Sequence, residues 1–221
     1  MRAEIEDALE RAHSRFVASV RATPAGAGGR TVPACPEWSV ADLVAHVLTV
    51  YRRALGDRRR SRTPEETAAL NATVLAETPE RDLAVLASLL EADGPASFAV
   101  LRGFPDDLSF RFHGGGRTTV TPVSAVILGE LLIHGHDLAE ATGGSWTIPP
   151  DEASLVLRGA SAPGPDGYPP IFAAWLAPGG EKLLAAVTEG DDPVGTMLAL
   201  YRRTAPTTPS VTALAPYLRS L

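Results

Sequence analysis

Residues 126–139 read Val-Ile-Leu-Gly-Glu-Leu-Leu-Ile-His-Gly-His-Asp-Leu-Ala, an apolar run that also carries acidic residues and histidines. Glu130 and His134 are four positions apart, so on a helix they project from the same face, one turn apart. The neighbouring positions on that face are apolar: Val123, Ile127, Leu138 and Ala141. The pattern predicts a helix inside a bundle, where Glu130 needs either a hydrogen bond from His134 or a cation that binds both side chains.

Helix start and stop signals predict four principal helices in the first two thirds of the chain. They cover about residues 2–22, 39–56, 78–101 and 121–143. Ser39 and Asp42 form a capping box at the start of the second, and Thr-Pro pairs begin the third and the fourth. Gly143 closes the fourth as a C-terminal cap. A further helix is expected after Thr63-Pro64.

The segments between these helices predict how the chain is wired. The long connection over residues 57–78 favours a crossover over simple up-and-down wiring, and residues 104–119 are typical of a short loop or hairpin. Beyond Pro149-Pro150, short helices are expected near residues 151–160, 180–189 and 193–204. The predicted fold class is therefore all-α. A four-helix bundle with a long crossover covers residues 1–148, and a small, mostly helical region covers residues 149–221.

The composition is that of a soluble globular protein, with 221 residues of which 45% are hydrophobic and 21% charged. A net charge of −6 argues against a dedicated binder of nucleic acid or anionic membranes, because both depend on a positive surface field. The N-terminus lacks a signal-peptide pattern and no apolar run is long enough to cross a bilayer, so we expect a cytoplasmic protein. Cys35 is the single cysteine, which excludes a disulfide framework and a cysteine-rich metal cluster; we expect it to pack.

A metal site would need a third ligand, and His46 on the second predicted helix offers one. His46 lies at the edge of that helix's apolar stripe. Two histidines and a glutamate suit zinc or another first-row divalent ion, and three protein ligands leave coordination positions open. The spacing equally allows a hydrogen-bonded Glu130–His134 pair with an unrelated core histidine. Asp137, one turn beyond His134, is expected either to orient a ligand or to form a structural hydrogen bond.

Two stretches resemble the signature motifs of a known family. They read Val32-Pro-Ala-Cys-Pro-Glu-Trp-Ser-Val-Ala-Asp-Leu-Val-Ala-His46 and Gly129-Glu-Leu-Leu-Ile-His-Gly-His-Asp-Leu-Ala-Glu-Ala-Thr-Gly143. In order and spacing, residues 1–150 resemble the DinB-like superfamily and, within it, the mycothiol-dependent maleylpyruvate isomerase family. The resemblance implies that the family's metal ligands fall on His46, Glu130 and His134.

The chain departs from that family at two places. His136 stands where related sequences often have Trp in a His-Gly-Trp-Asp run. The family's C-terminal domain helps to bind the thiol and contains a functionally important arginine, and no stretch of residues 151–221 aligns with it. Arg202 and Arg203 are the candidates for that arginine.

The function implied by the resemblance is a metal-dependent enzyme that activates a low-molecular-weight thiol of the mycothiol type. The thiol would isomerise a small electrophilic substrate or be transferred to it through sulfur. The implied cofactor is a divalent metal, zinc first among them, and the implied partners are the thiol and a small-molecule substrate. Two alternatives stay open: a non-catalytic small-molecule-binding or accessory protein on the same bundle, and a thiol-independent metal enzyme such as a hydrolase or cyclase.

Several other polar residues are interpreted as structural. His136 is about 200° around the helix from His134, so we expect it to be partly exposed or at an interface. His113 precedes a run of glycines within the predicted loop or hairpin, and we expect it to face solvent. The arginines at positions 58, 59, 60 and 62 follow a helix C-terminus, where cations meet the helix dipole favourably, and are expected to be solvated.

Overall fold

A computed structural model of the chain describes residues 1–63, 65–164, 170–172, 176, 180, 190–206 and 208–217. Its helices are α1 (Arg2–Ala22), α2 (Val40–Ala54), α3 (Glu65–Ala76), α4 (Leu83–Arg102), α5 (Val120–Thr142), α6 (Pro150–Ala160), α7 (Pro193–Leu200) and α8 (Pro209–Leu214). Two short antiparallel ribbons complete the fold, β1 (Thr31–Val32) with β2 (Cys35–Ser39), and β3 (Phe110–Arg111) with β4 (Arg117–Thr118). The all-α prediction is confirmed. The helix expected near residues 180–189 falls outside the described residues except for residue 180.

The four long helices α1, α2, α4 and α5 form the bundle, and the connection between α2 and α4 is a crossover. At one end of α2, Asp42 accepts a hydrogen bond from Arg81 Nε at 2.7 Å, just before α4 begins. Near the other end, Arg52 Nε donates to Asp93 in the middle of α4 at 3.0 Å. These pairs follow the same order along both helices, so α2 and α4 run in the same direction. The intervening chain, with α3, must return to the starting end, as the long connection predicts.

Capping side chains set the starts of the two parallel helices. Ser39 and Asp42 form the predicted capping box of α2, with the Asp42 amide donating to the Ser39 hydroxyl at 3.1 Å. The predicted start of α4 near Thr78 is wrong, because Asp82 caps the helix instead, and its Oδ1 accepts from the amides of Ala84 and Val85. The Thr78 hydroxyl instead donates back to a carbonyl of α3, so this residue closes the previous helix.

Helix α6 joins the C-terminal part of the chain to the bundle by packing on α1 and α5. Its Glu152 is buried, with 1% of the residue exposed, and pairs with Arg11 and Arg15 of α1. A buried carboxylate is tolerated only when it is paired and hydrogen-bonded. This ion-pair cluster therefore fixes α6 against the outer face of α1, and α7 packs in turn on α6.

One histidine in the bundle core makes folding stability depend on pH. His13 lies on α1 against Gly94, where an added Cβ would come within 2.5 Å of the imidazole, and its Nδ1 is 2.9 Å from the Tyr51 hydroxyl. Burial lowers the pKa of His13 below its usual 6.5. The unfolded chain therefore binds a proton that the folded chain rejects, and stability is lost as pH falls below about 6.5.

We expect protonation of His13 to lower the free energy of unfolding in urea between pH 7.5 and pH 5.5 by at most about 1.4 kcal/mol per pH unit, in addition to the contributions of the other buried histidines. His13→Asn keeps an amide near the Tyr51 hydroxyl but has no imidazole to titrate. Its decrease over the same interval should be smaller than that of the wild type. An equal or steeper decrease in the variant would contradict this assignment.

Helix α4 has the length and apolar composition of a membrane span, and it alone does so among the described helices. In this fold it is one of the four bundle helices and packs against α1 and α2. Core helices of globular proteins meet the same criterion, so its apolar character is explained by the bundle.

Candidate metal centre

Helices α2 and α5 bring three side chains to one point in the bundle. Nε2 of His46 lies 3.3 Å from Oε2 of Glu130, and Nε2 of His134 lies 3.1 Å from the same oxygen. One donor atom from each residue lies within 4.8 Å of the other two, a group that could hold a metal ion. The two imidazole rings meet edge to face, with their centroids 5.1 Å apart.

The charges within this cluster are strongly coupled. Burial acts to raise the pKa of Glu130, but hydrogen bonds from His134 and His46 outweigh it and hold that pKa well below its usual value. Burial acts to lower the pKa of His134, but hydrogen bonds to Asp137 and Glu130 outweigh it and raise that pKa to about 9. His46 has only the one carboxylate contact, and burial lowers its pKa. The protonated His134 therefore places one positive charge between two carboxylates.

Asp137 and Arg203 form a second layer behind His134. Oδ2 of Asp137 accepts a hydrogen bond from Nδ1 of His134 at 3.1 Å. Asp137 is completely buried, and the Arg203 guanidinium donates to both of its oxygens, at 2.8 Å from Nε and 2.6 Å from Nη2. This arrangement keeps a proton on Nδ1 of His134 and directs Nε2 towards Glu130, which is the orientation that carboxylate partners impose on metal-binding histidines.

The end of α7 places Arg203 at this position. The Arg203 amide donates to the Leu198 carbonyl at 2.7 Å, and the Arg202 amide donates to the Ala199 carbonyl at 3.0 Å. These two bonds make a Schellman motif, with Arg202 in the left-handed conformation at φ 60°. The motif turns the chain back towards the bundle, so that Arg203, rather than Arg202, reaches the cluster.

Trp38 and Cys35 of β2 border the cluster on the side of the first ribbon. The Trp38 ring lies 4.8 Å from the His46 ring and 6.2 Å from the His134 ring, centroid to centroid. Cys35 packs against the core, and its Sγ is 3.7 Å from Nη2 of Arg203. Burial raises the pKa of the Cys35 thiol, so this residue is a packing group and not an activated nucleophile.

A cavity of about 430 Å³ reaches the cluster, and His46 and Glu130 are part of its wall. The Glu130 side chain remains 20% exposed, although the two histidine side chains are only 5% and 8% exposed. The three side chains are therefore screened by protein on most sides, and His46 and Glu130 face the cavity. A small molecule in the cavity would lie beside the potential ligands.

The cavity corrects two predictions about exposed residues. His113 does not face solvent: its Nδ1 accepts a hydrogen bond from the Ser61 amide at 3.2 Å, and the ring lines the cavity. Arg60 is partly buried in the cavity wall and not solvated as predicted, whereas Arg58, Arg59 and Arg62 are exposed as expected, although Arg58 also lines the cavity. The reason is that the chain after α2 folds back towards the β3–β4 hairpin. His136 is partly buried and lies outside the three-residue donor group, as expected.

Sequence reasoning misses three residues at this site: Trp38, Arg53 and His113. Trp38 directly precedes the Ser39 cap of α2, and His46 lies about two helical turns into that helix. This position is a local signal that Trp38 lies near the site. Arg53 is seven residues beyond His46, two turns along the same face, so helical spacing already places it near the site. No local pattern predicts the contact of His113 with Ser61, which lies more than fifty residues earlier in the chain.

One family model matches more than half of the chain. The family model described as the mycothiol maleylpyruvate isomerase N-terminal domain matches residues 9–139, from within α1 to within α5. No curated protein and no solved structure matches the chain. The matched segment covers more than half of the chain and contains His46, Glu130, His134 and Asp137. The chain therefore belongs to the mycothiol maleylpyruvate isomerase N-terminal domain family.

Proposed function

We propose that this protein is a metal-dependent enzyme that uses a low-molecular-weight thiol to isomerise a small electrophile, or that joins the thiol to the electrophile through sulfur. The observation that carries the proposal is the convergence of the His46, Glu130 and His134 donor atoms, with His46 and Glu130 in the wall of a cavity. Membership of a family named for a mycothiol-dependent isomerase supports the thiol part.

The residues at the cluster fit a divalent cation. Two imidazole nitrogens and one carboxylate oxygen are a typical ligand set for zinc in catalytic sites, where a coordination position stays open. The protonated His134 offsets the charge of Glu130, while Arg203 pairs with Asp137, and a cation would take the place of the Nε2 proton of His134. A bound divalent cation would supply Lewis acidity, lowering the pKa of a thiol beside it so that the thiol is held as thiolate.

The protein's own residues prepare the site for that chemistry. Asp137 holds the Nδ1 proton of His134 and leaves Nε2 free to act as a ligand. Arg203 keeps Asp137 ionised and fixed in place, because it donates to both carboxylate oxygens. The Trp38 ring packs against His46, so access to the donor atoms is from the cavity.

The proposed reaction begins with addition of the thiolate to an electrophilic carbon. When that carbon belongs to a C=C bond, a C–S bond forms and the π electrons move to the conjugated acceptor group. Rotation about the resulting single bond, followed by loss of the thiolate, gives cis–trans isomerisation. When the thiolate instead displaces a leaving group, the product is the S-conjugate.

The test of this proposal compares chelator-treated protein with the same protein reconstituted with Zn²⁺. Each form is assayed with and without mycothiol, using maleylpyruvate for isomerisation and 1-chloro-2,4-dinitrobenzene for S-transfer. We expect turnover only when both metal and thiol are present. We place this reaction in the cytoplasm, where small thiols remain reduced.

The two alternative functions give different results in the same assay. Turnover of a substrate that requires metal but not thiol would assign a hydrolase or cyclase and overturn the thiol proposal. Full activity in chelated protein would overturn the metal part. Binding of small molecules without any turnover would identify a non-catalytic binding protein.

A further inference from the structure

We infer that the cavity binds an apolar organic anion, with its carboxylate between Arg53 and His113 and its apolar body against phenylalanine side chains. This inference rests on the proposed function, because it names the class of electrophile that would meet the thiol. The binding step can nevertheless be measured without metal, thiol or turnover.

Arg53 supplies a desolvated cation at the cavity wall. It lies in the last turn of α2, is partly buried, and donates from Nη2 to Oδ1 of Asn71 at 2.5 Å. Within the described part of the chain it has no ion pair, whereas its neighbour Arg52 pairs with Asp93. Burial lowers the pKa of Arg53. A carboxylate ligand would accept hydrogen bonds from the guanidinium of Arg53 and form the ion pair that this arginine lacks among the described residues.

His113 supplies a neutral hydrogen-bond donor on the same wall. Its Nδ1 accepts from the Ser61 amide at 3.2 Å, so the ring proton resides on Nε2. Nε2 is buried and has no hydrogen-bond partner among the described residues. Burial and the charges of Arg53 and Arg60 lower the pKa of His113 to about 3, so the ring stays neutral. An unpartnered, buried N–H beside a guanidinium points to an anionic ligand, since leaving a buried donor unsatisfied is costly.

The net charge of the cavity lining is positive as well. Among the described lining residues, the charged groups are the arginines at positions 53, 58 and 60 and a single carboxylate, Glu130. Glu130 already interacts with His46 and His134. The cavity therefore has an excess of positive charge that an anion would neutralise.

Apart from Thr67 and Asn71, the rest of the lining is apolar, with Phe104, Phe110 and Phe112 as its aromatic side chains. Leu108 remains 41% exposed, as expected at an opening to solvent. The volume of about 430 Å³ falls within the usual range of about 300–1,000 Å³ for small-molecule sites. An aryl or branched alkyl group would bury apolar surface here, whereas a sugar would lose its hydration against phenylalanines.

The anion site and the metal cluster share one cavity, because His46 and Glu130 line it together with Arg53 and His113. A ligand held by its carboxylate would therefore lie beside the donor atoms.

The experiment measures binding to chelator-treated protein by isothermal titration calorimetry. The probes are trans-cinnamate and its uncharged isostere trans-cinnamamide. We expect wild-type protein to bind cinnamate at least about tenfold more tightly than cinnamamide, and Arg53→Met and His113→Phe each to remove most of that preference. Arg52→Met is the matched control: it deletes the adjacent arginine of the same helix, which does not line the cavity, and should leave the preference unchanged.

The inference is overturned if wild-type protein binds neither probe or binds both equally. This test uses wild-type protein alone and does not depend on whether a variant folds. It is also overturned if Arg52→Met lowers the preference as much as Arg53→Met does. Its failure is distinguishable from failure of the proposed function. Thiol-dependent turnover without anion preference would contradict only this inference, and anion binding without turnover would contradict only the proposed function.

Discussion

His134→Ala is expected to abolish stoichiometric metal binding and to reduce thiol-dependent turnover to background. The substitution removes one of three donor atoms, and the remaining pair, His46 and Glu130, would bind a divalent cation weakly. Loss of a group that merely supports a ligand typically weakens metal binding about 10–100-fold, so removal of a ligand itself should exceed that range. The measurement is elemental analysis after equilibration with Zn²⁺, together with a competitive chelator titration.

His136→Ala is the matched control for this variant. It deletes an imidazole from the same helix, two residues further on and outside the donor group, and should retain wild-type metal content. His134→Ala should still fold, because Asp137 keeps both hydrogen bonds from Arg203. Stoichiometric metal in His134→Ala, or equal loss in both variants, would contradict the assignment of His134 as a ligand.

Arg203→Met is expected to destabilise the fold and to weaken the metal site together. Asp137 is completely buried, and the substitution leaves its carboxylate without a cationic partner apart from His134. Breaking a buried ion pair in this way costs about 3–5 kcal/mol. Because Asp137 orients His134, metal affinity should also fall about 10–100-fold. Urea unfolding of metal-free protein and a chelator titration measure the two effects.

A second substitution separates the two roles of Arg203. Asp137→Asn removes the buried charge but keeps a carbonyl oxygen that can accept from Nδ1 of His134. The double variant Arg203→Met/Asp137→Asn should therefore be more stable than Arg203→Met alone, a non-additive result expected of residues in direct contact. Arg158→Met, on the exposed face of α6, controls for loss of an arginine elsewhere. Equal stability of Arg203→Met and the wild type would contradict the role given to this ion pair.

Local patterns predict the part of the site that lies on single helices. Glu130 and His134 share a helix face because they are one turn apart, and Asp137 follows within the next turn. His46 is predictable as a residue on the inward-facing stripe of a capped helix. The order of the helices and the crossover also follow from caps, prolines and the length of the connection after α2. All of these features depend on spacings of a few residues.

Contacts between distant segments are not predictable in this way. Arg203 reaches Asp137 across sixty-six positions, and only the turn after α7 selects it over Arg202. His113 is on an irregular segment whose orientation depends on Ser61. The start of α4 is mispredicted for a local reason, since Asp82 outcompetes Thr78 as the cap. Irregular segments and competing caps therefore limit prediction at the cavity.

The most direct test of the three-ligand site is a crystal of the Zn²⁺-loaded protein measured at the zinc absorption edge. The account predicts an anomalous-difference peak within about 2.0–2.2 Å of Nε2 of His46, Nε2 of His134 and a carboxylate oxygen of Glu130. A peak coordinated by other residues, or no peak within the bundle at full metal loading, would contradict it.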